Sequence, residues 1–185
     1  MSLVILRPDF EPPDTLAAWE KRHIQPILLL NTHTHIAIID LDVTVPEEFY
    51  HLHEQYPSVD IIAVKVIPSS PIFRVWENLT FWARLGERFR GCAVIYSTRF
   101  LRYVGGWPLV ETPDTWLLKR SHLRILAPLQ ATHNQAFNLS HSIKNQLRDG
   151  KSRAQLNYPI WKTILHSIFR LRPIVLFAYV RERFR

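Results

Sequence analysis

Apolar positions fall along this chain in two alternating patterns, short unbroken runs and longer stretches with helical spacing. The runs are Ser2 to Leu6, Pro26 to Leu30, Ile36 to Ile39, Asp60 to Ile67, Cys92 to Tyr96 and Ile125 to Leu129. Four to eight consecutive apolar residues bounded by Pro, Asn or Asp read as strands covered on both faces. Between them, Leu16, Trp19 and His23 share one helical face after Pro12-Pro13-Asp14-Thr15, a start that Pro26 ends. Pro46-Glu47-Glu48 opens a helix running to about Gln55, its carboxylates in the first turn, where the macrodipole favours them.

Phe73, Trp76, Leu79, Phe81 and Leu85 predict a helix from Phe73 to Phe89, and Thr98 to Tyr103 a short one ended by Gly105-Gly106. Further helices are expected over Asp114 to Leu123 and over Ala136 to Leu147, the latter stopped at Asp149-Gly150. A last one runs from Tyr158 to Arg183 with a break at Pro173. Strands alternating with helices predict an α/β fold whose central sheet is mostly parallel and flanked by helices.

Length and charge refine this picture. The 185 residues suit one domain with a single core, and 47% hydrophobic with 21% charged residues is a globular balance. No run reaches the ~20 apolar residues of a membrane span, and the start lacks a signal-peptide cleavage pattern, so a cytoplasmic location is expected. Cys92, the one cysteine, stands inside a strand-like run and reads as a buried structural thiol. The net charge of +7 is uneven. Residues 1–143 hold 13 Lys/Arg against 14 Asp/Glu, whereas residues 144–185 hold 10 against 2, so the basicity belongs to the tail.

Asp40-Leu41-Asp42 follows the Ile36 to Ile39 run directly. Open α/β sheets bind ligands at the carboxyl ends of their strands, and two carboxylates there can reach one divalent cation and a diphosphate. The alternative is a pair of solvated turn aspartates. His33 and His35 alternate on one strand-like segment without a nearby third ligand of zinc spacing, and His51 and His53 lie two apart on a helix and so diverge. The nucleotide-binding G-x-G-x-x-G and G-x-x-x-x-G-K-[ST] patterns are both missing, which disfavours a dinucleotide fold or a P-loop.

Gly91 to Trp107 reads strand, short helix, then Val104-Gly105-Gly106-Trp107, followed by Glu111 and Asp114-x-x-Leu117-x-x-Arg120. This order resembles the acceptor side of family 2 glycosyltransferases of the GT-A type. The resemblance covers roughly residues 36–150; it departs from the family where Thr112-Pro113 separates Glu111 from Asp114, and the section before Asp40 is short. It implies Asp42 as a metal ligand, Asp40 as a contact to the ribose or the metal, Asp114 as catalytic base and His133 as an additional ligand. Gly105, Gly106, Trp107 and Glu111 would line the substrate site, with Asn31 and Arg7 as nucleotide contacts. Asp114 also fits a helix N-cap, a role compatible with catalysis.

The implied cofactor is manganese or magnesium, and the implied reaction an inverting transfer from a nucleotide-diphospho-sugar to a glycan, lipid or protein hydroxyl. Residues 1–150 would form the catalytic domain, with a donor half over 1–70 and an acceptor half over 71–150. Residues 151–185 would be a basic amphipathic helical tail packing on it, its stripe of Trp161, Ile164, Leu165, Ile168 and Phe169 covering the core and its arginines giving peripheral contact with anionic lipid. The alternative functions are a nucleic-acid-binding protein using that tail, or a non-catalytic scaffold of the same fold. Specific nucleic-acid binding is not expected, because the net-acidic body repels phosphate.

Overall fold

A computed structural model describes residues 2–7, 30, 32–79, 91–108, 113–134 and 139–184. The expected helix near Leu16, the run from Pro26, and the stretch from residue 80 to Phe89 lie largely outside these residues, as do Asn31 and Glu111. Among the described residues there are six strands: β1 (Leu3–Leu6), β2 (His35–Ile39), β3 (Val43–Thr44), β4 (Ile61–Pro68), β5 (Ala93–Ser97) and β6 (Arg124–His133). A 3-10 turn over Glu47–His51 runs into α1 (Leu52–Gln55). The remaining helices are α2 (Pro71–Leu79), α3 (Thr98–Tyr103), α4 (Pro113–Arg120), α5 (Leu139–Gln155), α6 (Ile160–Phe169) and α7 (Pro173–Arg183).

These elements form two compact units, one built from the six strands with α1, α3 and α4, the other including α2, α5, α6 and α7. The strands make one sheet in the order β1-β2-β5-β4-β6-β3. Among the described strands β1/β2 and β4/β6 pair in parallel, while β2/β5, β4/β5 and β3/β6 are antiparallel. The sheet is therefore mixed and not mostly parallel. Antiparallel β5 inserts between two parallel strands, which an apolar run cannot reveal because burial on both faces makes the two pairings look alike in sequence.

Alternation along the strands divides the core into two layers. Ala37, Ile39, Ile62, Val64, Val66, Ala93 and Ile95 pack with Phe49 of the 3-10 turn and Leu52 of α1. Ile36, Ile61, Ala63, Val94 and Tyr96 pack with Phe100 and Leu101 of α3, Leu117 of α4, and Trp107. Cys92 is a buried free thiol, as expected. β6 runs four residues past its expected end at Leu129 and keeps Pro128 by a bulge, the partner of Val64 being Ala127 and that of Lys65 being Gln130.

In the helical unit, α5 continues through Asp149-Gly150, where the sequence predicted its end. Gly150 stands where α7 comes close: an added Cβ would meet the Val175 carbonyl oxygen and lie 2.6 Å from Ala178 Cβ. Glycine serves here as a packing surface and not as a stop. Arg172 Nη1 donates to Asp149 Oδ2 at 2.8 Å, and Tyr179 Oη to the Tyr158 carbonyl at 2.6 Å. The tail stripe is turned the other way from expectation. Trp161, Ile164, Leu165, Ile168 and Phe169 are exposed, and α6 buries Thr163 and Ser167 instead.

Candidate functional site

β2 ends at Ile39, and the chain turns at once, with the Asp40 amide donating to Cys92 O at 2.9 Å and Val43 N–H to Asp40 O at 3.0 Å. This turn carries Asp42 to the start of β3, where Val43 stands opposite His133. Asp42 Oδ2 accepts from His133 Nε2 at 2.9 Å, joining residues 91 positions apart. Asn134 N–H donates to Asp42 O at 2.7 Å and Asn134 Nδ2 to Thr44 Oγ1 at 3.0 Å, so backbone and side chains hold both strand ends in register. The bulge in β6 decides which residue arrives there. It puts His133 opposite Pro68, a place Ala131 would take in an unbulged ladder.

The carboxylate and imidazole are both part-exposed, with 39% of the Asp42 side chain and 21% of the His133 side chain accessible. Their spacing suits one cation: two donors at about 2.1 Å from a metal and at right angles are ~3 Å apart. A divalent ion there would replace the Nε2 proton, with the carboxylate as the hard oxygen donor, the imidazole as a softer one, and phosphate oxygens and water completing the shell. Asp40 does not join the pair closely enough to make a third ligand, and among the described residues no three His, Cys, Asp or Glu side chains gather on one point.

Asp114, in the first turn of α4, is seated on Gly91, which immediately precedes the Cys92 carbonyl that holds Asp40. A Cβ on Gly91 would lie 2.7 Å from both Cβ and Cγ of Asp114, so only glycine leaves that carboxylate its place. Tyr96 on β5 is 1% exposed. Burial pushes its phenol well above the ordinary value, and the charges of Asp114 and then Asp40 push it further. Both carboxylates thus act on one buried group.

The other expected contacts are placed differently. Gly105 and Gly106 take φ of 91° and 100°, a left-handed pair that lets Gly106 N–H close on Leu101 O at 2.7 Å and ends α3. Trp107 is 6% exposed and meets Tyr96 edge-on at 5.4 Å, so its ring belongs to the core. Arg7 Nη2 donates to Tyr50 Oη at 3.2 Å. Sequence reasoning missed one pairing. His35 and His53, read as belonging to separate and uninformative pairs, lie 5.4 Å apart and are both buried. His35 is lowered to about 4 by burial first and by His53 next. A histidine directly before the Ile36 to Ile39 run was the available signal.

No protein-family model matches the sequence. No curated protein is significantly similar to it either. Among solved structures it is similar to the mannosyltransferase PcManGT from Pyrobaculum calidifontis, solved in complex with GDP-Man and Mn2+, at 18% sequence identity and a TM-score of 0.49. The match covers 93% of this chain and 54% of that one, so the chain spans about half the length of the protein it resembles.

Proposed function

We propose that the chain is a glycosyltransferase of the GT-A type that moves a sugar from a nucleotide-diphospho-sugar to an acceptor hydroxyl with inversion. The contact that carries this reading is the 2.9 Å approach of Asp42 and His133, two ligand types from a turn and a strand end far apart in sequence, beside a strand-end aspartate. Asp42 and His133 hold the divalent cation, manganese or magnesium, and Asp40 contacts the ribose. Such a cation supplies positive charge to the diphosphate as negative charge builds on its departing oxygen.

Asp114 is the base. Its carboxylate takes the proton of the acceptor hydroxyl while the acceptor oxygen bonds to the anomeric carbon and the bond from that carbon to the diphosphate oxygen breaks. The nucleoside diphosphate leaves with the electron pair. Gly91 fixes where Asp114 stands, which matters because a positioned base loses effect steeply with displacement. The loop of Gly105 and Gly106 borders the acceptor.

Thermal shift with nucleoside diphosphates and nucleotide-sugars, each with and without manganese, tests this reading. A ligand at a hundredfold excess over its dissociation constant stabilises by about 2.7 kcal/mol. The expected result is a metal-dependent rise with at least one nucleoside diphosphate, lost in Asp42→Asn. A rise that is unchanged in Asp42→Asn, or none with any nucleotide, removes the site.

A further inference from the structure

Helix α6 is built inside out. At 100° per residue, Ile160, Ile164, Ile168, Trp161, Leu165 and Phe169 sweep an arc of about 180°, and Lys162, His166, Thr163 and Ser167 fill the rest. The two hydroxyl residues of the polar arc face inward: Thr163 and Ser167 are 0% and 4% exposed, and among the described residues neither hydroxyl oxygen finds a partner. Every residue of the apolar arc is exposed, Trp161 at 55% and Ile168 at 59%. Burying hydroxyls while six large apolar side chains face outward reverses the arrangement water favours. Beyond the helix Leu171, at a φ of 51°, is 75% exposed, and Phe177 and Val180 on α7 and Phe184 just after it are exposed in the same way.

What covers this face is decided by charge. α6 has no acidic residue, and Lys162 Nζ lies over the Trp161 ring at 5.3 Å, at the edge of the apolar arc. From Ile160 to the end of the sequence there are six Lys/Arg against Glu182. A second copy would bring like charge onto like charge, whereas an anionic lipid surface attracts the basic rim and accepts the apolar face. The helix is ten residues long, and among the described residues no helix is long and apolar enough to cross a membrane. An interfacial position, with the axis in the membrane plane and tryptophan and lysine at headgroup depth, fits its length and composition.

We infer that α6 is a membrane-docking helix, embedding its apolar face in the headgroup region of an anionic bilayer with the basic residues of α6 and α7 around it. The inference does not depend on the chemistry proposed above, and its test does not read transfer. The full chain is sedimented with phosphatidylcholine vesicles alone and with vesicles containing about a third phosphatidylserine, where binding at least about tenfold stronger is expected. Leu165→Glu with Ile168→Glu should reduce binding to the anionic vesicles at least about tenfold, and Lys162→Glu with Arg181→Glu should remove the preference for phosphatidylserine. Trp161→Phe should keep binding while losing part of the fluorescence change on vesicle addition.

Leu165→Ser with Ile168→Ser serves as the milder pair, and circular dichroism with cooperative thermal unfolding shows whether either pair remains folded. Equal sedimentation of the parent and a folded apolar variant overturns the inference, as does failure of the parent to bind either vesicle. A parent that is dimeric in solution, and monomeric in the folded serine variant, assigns the face to a second copy and overturns it too.

Discussion

Replacing Gly91 with alanine tests the candidate site without touching any residue placed in it. The added methyl would lie 2.7 Å from Asp114 Cβ and Cγ, against an optimum of about 3.5–4.0 Å between carbons, so about 1 Å must open. Rotation of the carboxylate cannot supply it, because Cβ moves only with the backbone. The first turn of α4 therefore retreats from Gly91. Overpacking of this kind costs about 1–3 kcal/mol, and the reduced freedom of the unfolded chain returns about 0.4–1. A net loss of about 1–2 kcal/mol lowers Tm by roughly 2–8 °C in a chain of this size.

The effect on turnover should be larger than that on stability. Displacing a base by about 1 Å costs on the order of a hundredfold in rate, while donor affinity, which does not involve Asp114, stays near the parent value. Transfer rate, manganese-dependent affinity for the donor and Tm are measured on the same preparations. Combined with Asp114→Asn, Gly91→Ala should cost little further rate, since both act through one carboxylate. Parent-like transfer by Gly91→Ala would refute the reasoning, and so would two losses that simply multiply.

Asp42→Asn and His133→Ala should each weaken manganese-dependent binding of a nucleoside diphosphate, by about 10- to 100-fold, and their combination by less than the product; independent effects in titration would mean that they serve no common ligand. Asp114→Asn alone should retain donor binding and lose transfer, and undiminished transfer would move the base elsewhere. Because the folded-state value of His35 is about 4 against 6.5 unfolded, only the unfolded chain binds its proton between these values. The fold is therefore stabilised above pH 6.5 and loses that contribution as pH falls toward 4, by at most about 3 kcal/mol before solvent screening. Urea unfolding at both ends of that window should show a smaller pH difference in His35→Gln, and an equal one would clear His35. Gly150→Ala gains about 1 kcal/mol of helix propensity and meets Ala178 Cβ at 2.6 Å, so a lower Tm is expected and a higher one would contradict the close approach of α5 and α7.

The sequence could be read where one local rule decides the outcome, and not where two distant segments decide it together. The Ile36 to Ile39 run implied burial on both faces, and Ile36 indeed enters one core layer while Ala37 and Ile39 enter the other. That placed Asp40 and Asp42 at a strand end without any tertiary information. His133 is the opposite case. Its meeting with Asp42 depends on a bulge beside Pro128 that carries the strand past Leu129, whereas the sequence supplied His133 as a ligand only through the family resemblance. Gly150 repeats the point, since a glycine after aspartate predicts a stop unless another helix needs the space its missing side chain leaves. On α6 the spacing was read correctly and the direction was not, because periodicity identifies an apolar face without saying what lies against it. Pairing direction, bulges and close approaches are properties of two segments at once, so the contact between Asp42 and His133, 91 positions apart, can be derived only when both strands are in place.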